Sequence, residues 1–151
     1  MKHKILFVCH GNICRSPMAE FMMKQLVSEA GRDGEFEIDS VATSTEEIGN
    51  DMYPPAKRCL RNHGVPFEHR RARQITMADY DSSDLVLVMD RNNLRWLRML
   101  GIDDADHKVQ LLMSIIGENR DVADPWYTGD FNRTYDDIAK VLPSLLHDWG
   151  E

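Results

Sequence analysis

The chain has 151 residues, with 18 Lys and Arg against 25 Asp and Glu and a net charge of -7, which argues against a general nucleic-acid binder. Apolar residues make up 42% and charged residues 28%, enough to bury the core of one soluble domain spanning residues 1–151 and too apolar for a disordered chain. No apolar run approaches the length of a membrane span, no signal-peptide cleavage site is evident near Met1, and three cysteines make no disulfide framework, so a cytoplasmic location without membrane insertion is expected.

Residues 4–8, with the run Ile5-Leu6-Phe7-Val8, read as a buried strand. A loop follows, and from Pro17 to about Ala30 the residues Met18, Phe21, Met22, Leu26 and Ala30 recur at helical spacing, with Gly31 placed to stop the helix. Phe36-Glu37-Ile38 alternates as a second strand should. Pro54-Pro55 opens a helix that runs through Cys59 and Leu60 to Gly64. The run Asp84-Leu85-Val86-Leu87-Val88-Met89 is expected to form a central parallel strand covered on both faces. Asn92 to Leu100 reads as a helix stopped at Gly101, and Lys108 to Leu112 as a weaker fourth strand. Thr134 to Trp149 forms the last helix, with Ile138, Val141, Leu142, Leu145 and Leu146 on one face and Pro143 as a point of interruption. Alternating strands and helices define an α/β, flavodoxin-like or Rossmann-like three-layer sandwich around a four-stranded parallel sheet with right-handed crossovers. Ligands of such sheets bind beyond the carboxyl ends of the strands, and the loop at Cys9 lies at one such end.

That loop, Cys9-His10-Gly11-Asn12-Ile13-Cys14-Arg15-Ser16, carries the chemistry. A strand, a tight loop and a helix start aim several backbone N–H groups at one place, which suits an oxyanion. Helix N-termini and nearby cations favour a thiolate, and Cys9 has both in reach: the helix that opens at Ser16-Pro17 and the guanidinium of Arg15. Arg15 also has the planar fork that grips two phosphate oxygens. Ser16 adds a hydroxyl, Gly11 permits a turn that a side chain would obstruct, and Asn12 tolerates a left-handed conformation and braces the loop with its amide. A tetrahedral dianion docked on a thiolate nucleophile fits this set of parts. No Cys-x-x-Cys pair occurs and the six histidines form no metal-ligand pattern with the cysteines, so neither a zinc site nor any other metal or cofactor is expected.

Cys9 to Ser16 resembles the phosphate-binding loop of the low-molecular-weight protein tyrosine phosphatases. Asp124-Pro125-Trp126-Tyr127 is similar to that family's acid loop, and the segments Asp39–Ser44, Cys59–Gly64, His69 with Ala72–Thr76, and Met89–Leu94 agree in order. The resemblance implies that Cys9 attacks phosphorus to form a phosphocysteine. Arg15 and the loop amides of His10, Gly11, Asn12, Ile13, Cys14 and Ser16 then hold the phosphate oxygens, and Asp124 protonates the leaving phenolate and next serves as base on water. Spacing alone does not choose Asp124 over Asp121 or Asp130; the family pattern does. Trp126 and Tyr127 would wall a crevice deep enough to favour phosphotyrosine over phosphoserine, although adjacent aromatics are commonly part of a core. Tyr127 is also implied as a phosphorylation target. The substrates implied are tyrosine-phosphorylated proteins and small aryl phosphates.

Further expectations come from the same resemblance. Many members carry an aromatic where this chain has Glu46, so the rim gains negative charge and a preference for basic flanking residues, unless Glu46 is an ordinary solvated residue. Cys14 is implied as a reversible disulfide partner of Cys9 under peroxide, or else is a small buried residue. His69 is implied as a hydrogen-bond partner of Asn12, with Ser40 also behind the loop. Asp90 either bonds the loop or Arg15, or starts the following helix. Two other readings compete. An arsenate reductase would need relay cysteines, and residues 80–123 hold none. A non-catalytic phosphotyrosine-binding module would be expected to lack Cys9, Arg15 or Asp124.

Overall fold

The computed structural model describes residues 2–148. Its sheet has four parallel strands, β1 (His3–Cys9), β2 (Phe36–Ala42), β3 (Leu85–Val88) and β4 (Val109–Leu111), in the order β2-β1-β3-β4. The helices are α1 (Arg15–Glu29), α2 (Pro54–Asn62), α3 (Met77–Ser82), α4 (Arg91–Met99), the single turn α5 (Pro125–Thr128) and α6 (Phe131–Asp148). Short 3-10 turns stand at Asp33–Glu35 and Leu112–Ile116.

Because β1 is central and alternates its side chains, it feeds two cores. Ile5, Phe7 and Cys9 face a large apolar layer with Met18 and Met23 of α1, Leu60 of α2 and Ile138 and Leu142 of α6. Leu6 and Val8 face a smaller layer with Tyr80 of α3, Leu97 of α4 and Ile102. Burial on both faces explains why β1 and β3 carry unbroken apolar runs rather than alternation.

Two expectations need correcting. The strand expected at Phe36–Ile38 continues to Ala42, because Asp39 to Ala42 pair in register with Leu6 to Cys9. Pro143 does not interrupt α6. It stands on the exposed side of the helix, where water can satisfy the carbonyl that its missing N–H leaves free. Trp149 lies outside the described residues. Asp33–Glu35, α3, Leu112–Ile116 and α5 are additional short elements. Gly31, at φ +69°, ends α1 as its position suggests. No helix among the described residues is long and apolar enough to cross a membrane.

Candidate active site

Four chain segments meet at the carboxyl end of β1. The strand delivers Cys9, the next residues turn, and α1 begins at once at Arg15. Cys14 occupies the N-cap position of α1, and no side chain caps the helix. Its leading N–H groups are therefore available to an oxyanion instead of being satisfied internally. The left-handed residue of the turn is Asn12, at φ +59°, and not Gly11. A Cβ on Gly11 would meet the Glu47 side chain at 3.4 Å, an ordinary van der Waals contact with the wall opposite.

Cys9 Sγ is buried, accepts the Asn12 backbone N–H at 3.3 Å and lies 3.0 Å from Ser16 Oγ. The Asn12 amide donates to Ser16 Oγ at 2.8 Å and to Ser40 Oγ at 3.0 Å. With Ser16 Oγ accepting in this way, its O–H has two acceptors in reach, the sulfur at 3.0 Å and the Val41 carbonyl at 3.4 Å. Ser40 in turn donates to Glu20 at 2.5 Å. Glu20 lies one helical turn beyond Ser16, on the same face of α1, a spacing from which it could have been found.

On its other side Asn12 departs from expectation. Its Oδ1 accepts from Arg70 Nη2 and from the Arg73 backbone N–H at 3.3 Å. His69 instead hydrogen-bonds Asp51 at 3.1 Å, with its side chain 70% exposed. The implied His69–Asn12 bond is absent. The segment is pinned by Ala72 N–H to the Asn50 carbonyl and by Ala42 N–H to the Arg73 carbonyl, and this pinning presents Arg70 to the loop. Burial, the leading influence, lowers the Arg70 pKa despite the raising effects of Glu20 and Cys9.

Arg15 is 2% exposed. Its Nη1 donates to Asp90 at 2.7 Å and to the Val122 carbonyl at 2.8 Å, and its Nη2 reaches Asp124 Oδ2 at 3.4 Å. Burial opposes its charge, but Cys9, Asp90 and Asp124 outweigh burial and hold its pKa above the ordinary arginine value. Asp90 fills both of its alternatives, binding Arg15 and capping α4 through the Asn93 N–H at 2.8 Å.

Asp124 is the N-cap of α5, where its Oδ1 accepts the Trp126 N–H at 3.0 Å. Trp126 and Tyr127 are 51% and 84% exposed, so neither belongs to a core. Trp126 packs against Tyr53 with ring centroids 4.7 Å apart and the ring planes tilted by 51°. Opposite, Glu46 Oε2 meets His10 Nε2 at 2.5 Å, and the His10 ring packs edge-on against Trp96. Burial first, and then Cys9 and Asp124, pushes the Cys14 thiol far above its usual range. Together Cys9, His10, Gly11, Ile13, Cys14, Arg15, Glu46, Glu47, Asp124, Trp126 and Tyr127 line one cavity of about 320 Å³. Sequence reasoning missed Arg70, Arg73, Tyr53 and Trp96, which reach the site through tertiary contacts. No cluster of three or more His, Cys, Asp or Glu side chains suited to a metal occurs among the described residues.

A thiol, a buried guanidinium and a carboxylic acid around an uncapped helix start, at the carboxyl end of a parallel strand, define a cysteine-based phosphatase site. The family model for low molecular weight phosphotyrosine protein phosphatase matches residues 4–150, and the chain belongs to that family. It is 40% identical over 147 residues to the mouse low molecular weight phosphotyrosine protein phosphatase, covering 94% of this chain and 92% of the relative. It is 39% identical over 144 residues to the Bacillus subtilis low molecular weight protein-tyrosine-phosphatase YfkJ, with the same coverage. The YfkJ crystal structure superposes with a TM-score of 0.92 at 33% identity, over 98% of this chain and 94% of the other. A Drosophila arginine phosphatase structure superposes with a TM-score of 0.87 at 30% identity, over 100% of this chain and 99% of the other.

Proposed function

We propose that this chain is a single-domain protein-tyrosine phosphatase that hydrolyses phosphotyrosine and small aryl phosphates through a phosphocysteine on Cys9. The observation that carries the reading is the shared cavity, in which Cys9 Sγ, Arg15 and Asp124 stand together. The Asn12 N–H and the Ser16 hydroxyl stand within hydrogen-bond reach of the attacking sulfur and hold it in place. Asp90 and the Val122 carbonyl hold Nη1 of Arg15, while Nη2, whose contact with Asp124 is the longer one at 3.4 Å, turns to the phosphate oxygens. Cys9 attacks phosphorus in line with the departing phenolate. Asp124 gives its proton to that oxygen from Oδ2, which exchanges its long contact with Arg15 for the substrate, while Oδ1 keeps the Trp126 N–H. In the second step the ionised Asp124 takes a proton from water, which attacks the phosphocysteine and releases Cys9.

The substrates are tyrosine-phosphorylated proteins, in a cytoplasmic setting. Trp126 and Tyr127 give the mouth two exposed aromatic faces suited to a phenyl ring. Glu46 adds negative charge to the rim although one of its oxygens is engaged by His10. Replacing Glu46 with Tyr is expected to abolish a preference for basic flanking residues, and unchanged flank preference would contradict this. Cys14 serves as a redox guard. Peroxide converts the Cys9 thiolate to a sulfenic acid, and the Cys14 thiol condenses with it to give a disulfide and water. Oxidation of Cys9 also removes the negative charge that helps hold the Cys14 proton in place.

The test is hydrolysis of para-nitrophenyl phosphate and of matched phosphotyrosine, phosphoserine and phosphoarginine peptides. Phosphotyrosine is expected to be turned over far faster than the other two. Cys9→Ser is expected to abolish turnover, and Asp124→Ala to lower kcat by about a hundredfold or more, the usual contribution of general acid–base catalysis. Turnover surviving Cys9→Ser would overturn the mechanism, and a faster rate on phosphoarginine would overturn the substrate.

A further inference from the structure

A groove of about 480 Å³ adjoins the catalytic pocket, and the Trp126 indole lines both. The Tyr53 ring, packed at a tilt against that indole, α2 and the head of α6 form its other sides. Its polar lining is unbalanced toward hydrogen-bond donors. Arg58 is exposed, and it makes neither an ion pair nor a hydrogen bond among the described residues. Asp130, the carboxylate in the groove, accepts the Arg133 N–H at 3.0 Å, so its charge is held at the start of α6, where the helix dipole favours it. The Asn132 carbonyl oxygen accepts from the Cys59 thiol at 3.7 Å, and the side chains of Asn132 and Asn62 line the groove beside Arg58.

We propose that this groove is a second substrate subsite, which receives an acidic side chain of the phosphopeptide on the Arg58 guanidinium. The inference rests on the catalytic pocket being the phosphotyrosine site. The step across Trp126 matches peptide geometry: two residues of extended chain span about 7 Å, roughly the width of an indole, and bring the next side chain back to the same face. The phosphotyrosine ring packs on one side of Trp126, and the carboxylate two residues away reaches Arg58 beyond it. Polarity then sets direction. Glu46 and Glu47 make the catalytic pocket's own rim acidic, so an acidic residue is accepted on one side of the phosphotyrosine and disfavoured on the other.

The experiment compares kcat/KM for phosphotyrosine peptides that carry Glu, Ala or Lys two residues before, or two residues after, the phosphotyrosine. The parent, Arg58→Ala and Arg58→Glu are measured, with para-nitrophenyl phosphate as the substrate that has no flanking residue. Arg58 is exposed, so neither variant threatens folding. In the parent, Glu is expected to exceed Ala by about three- to fivefold on one side only, the worth of an exposed ion pair, with the advantage shrinking at high salt. Arg58→Ala flattens the series and Arg58→Glu reverses it, while turnover of para-nitrophenyl phosphate stays level. Equal rates across the peptide series, or a ranking unmoved in Arg58→Glu, would overturn the subsite while para-nitrophenyl phosphate is still hydrolysed. Failure of the parent to hydrolyse para-nitrophenyl phosphate would instead overturn the phosphatase reading.

Discussion

Asn12 holds a left-handed backbone and its side chain connects four partners, with Ser16 and Ser40 on its amide nitrogen and Arg70 and the Arg73 backbone on its oxygen. Arg70 therefore acts on Cys9 at one remove, through the orientation of Asn12 and Ser16. Replacing Arg70 with Ala is expected to lower kcat/KM on an aryl phosphate by about tenfold or more, the worth of a charge-assisted hydrogen bond. It should also slow alkylation of Cys9 by iodoacetate, and Arg70→Lys should recover part of both losses. His69→Ala should change neither rate by more than about twofold, since an exposed ion pair is worth little. Equal losses in the Arg70 and His69 variants would refute this division. Cys9 and Arg15 were legible because phosphoryl chemistry demands those residue types at a strand end, whereas Asp124 was separated from Asp121 and Asp130 only by the family pattern. The choice between His69 and Arg70 was not legible. One residue of register in an irregular segment decides it, and that register is fixed by backbone hydrogen bonds to Asn50 and Ala42, distant in sequence.

At the scale of elements, continuous apolar runs made β1 and β3 plain and a shorter run gave β4 more weakly, while α3 is too short for periodicity to report. Thr76 and Asp79 start α3 by capping each other, a two-residue signal easily lost among other polar residues. The end of β2 was hidden because Asp39 and Ser40 are polar: Asp39 accepts an ion pair from Arg73, and Ser40 turns inward to Asn12 and Glu20. The unbroken α6 yields a direct prediction. Pro143 removes one hydrogen bond from a helix interior, so Pro143→Ala is expected to stabilise the protein by about 1–3 kcal/mol. Urea unfolding measures it. A lowered midpoint would mean that the proline ring makes a packing contribution larger than the hydrogen bond it removes.

For the whole molecule, the two-faced sheet settles both stability and the place of chemistry, because β1 and β3, buried on both sides, end beside the pocket, with Cys9 closing β1 and Asp90 following β3. Acid stability follows from the carboxylates that tie the outer loops to this frame. Burial alone would raise Asp51 and Asp79. Hydrogen bonds from Lys57, Met52, Arg70 and His69 outweigh it at Asp51, as those from Arg73 and Thr76 do at Asp79, and both carboxyls are held below the usual range. Groups held low in the fold contribute stability that is fully present above the unfolded value of about 4 and is lost as pH falls toward the folded value. The urea midpoint should thus be steady near neutrality and decline below about pH 5, and Asp79→Asn should flatten part of that decline. A midpoint unchanged down to about pH 3 would contradict the account.

The central claim, that Cys9 becomes phosphorylated during turnover, is tested most directly by rapid acid quenching of the Asp124→Ala variant with an aryl phosphate, followed by mass spectrometry of the peptide containing Cys9. The account predicts a phosphate adduct on Cys9 that forms with substrate and is absent in Cys9→Ser. Turnover in the parent with no adduct on Cys9, or with phosphate on another residue, would contradict it.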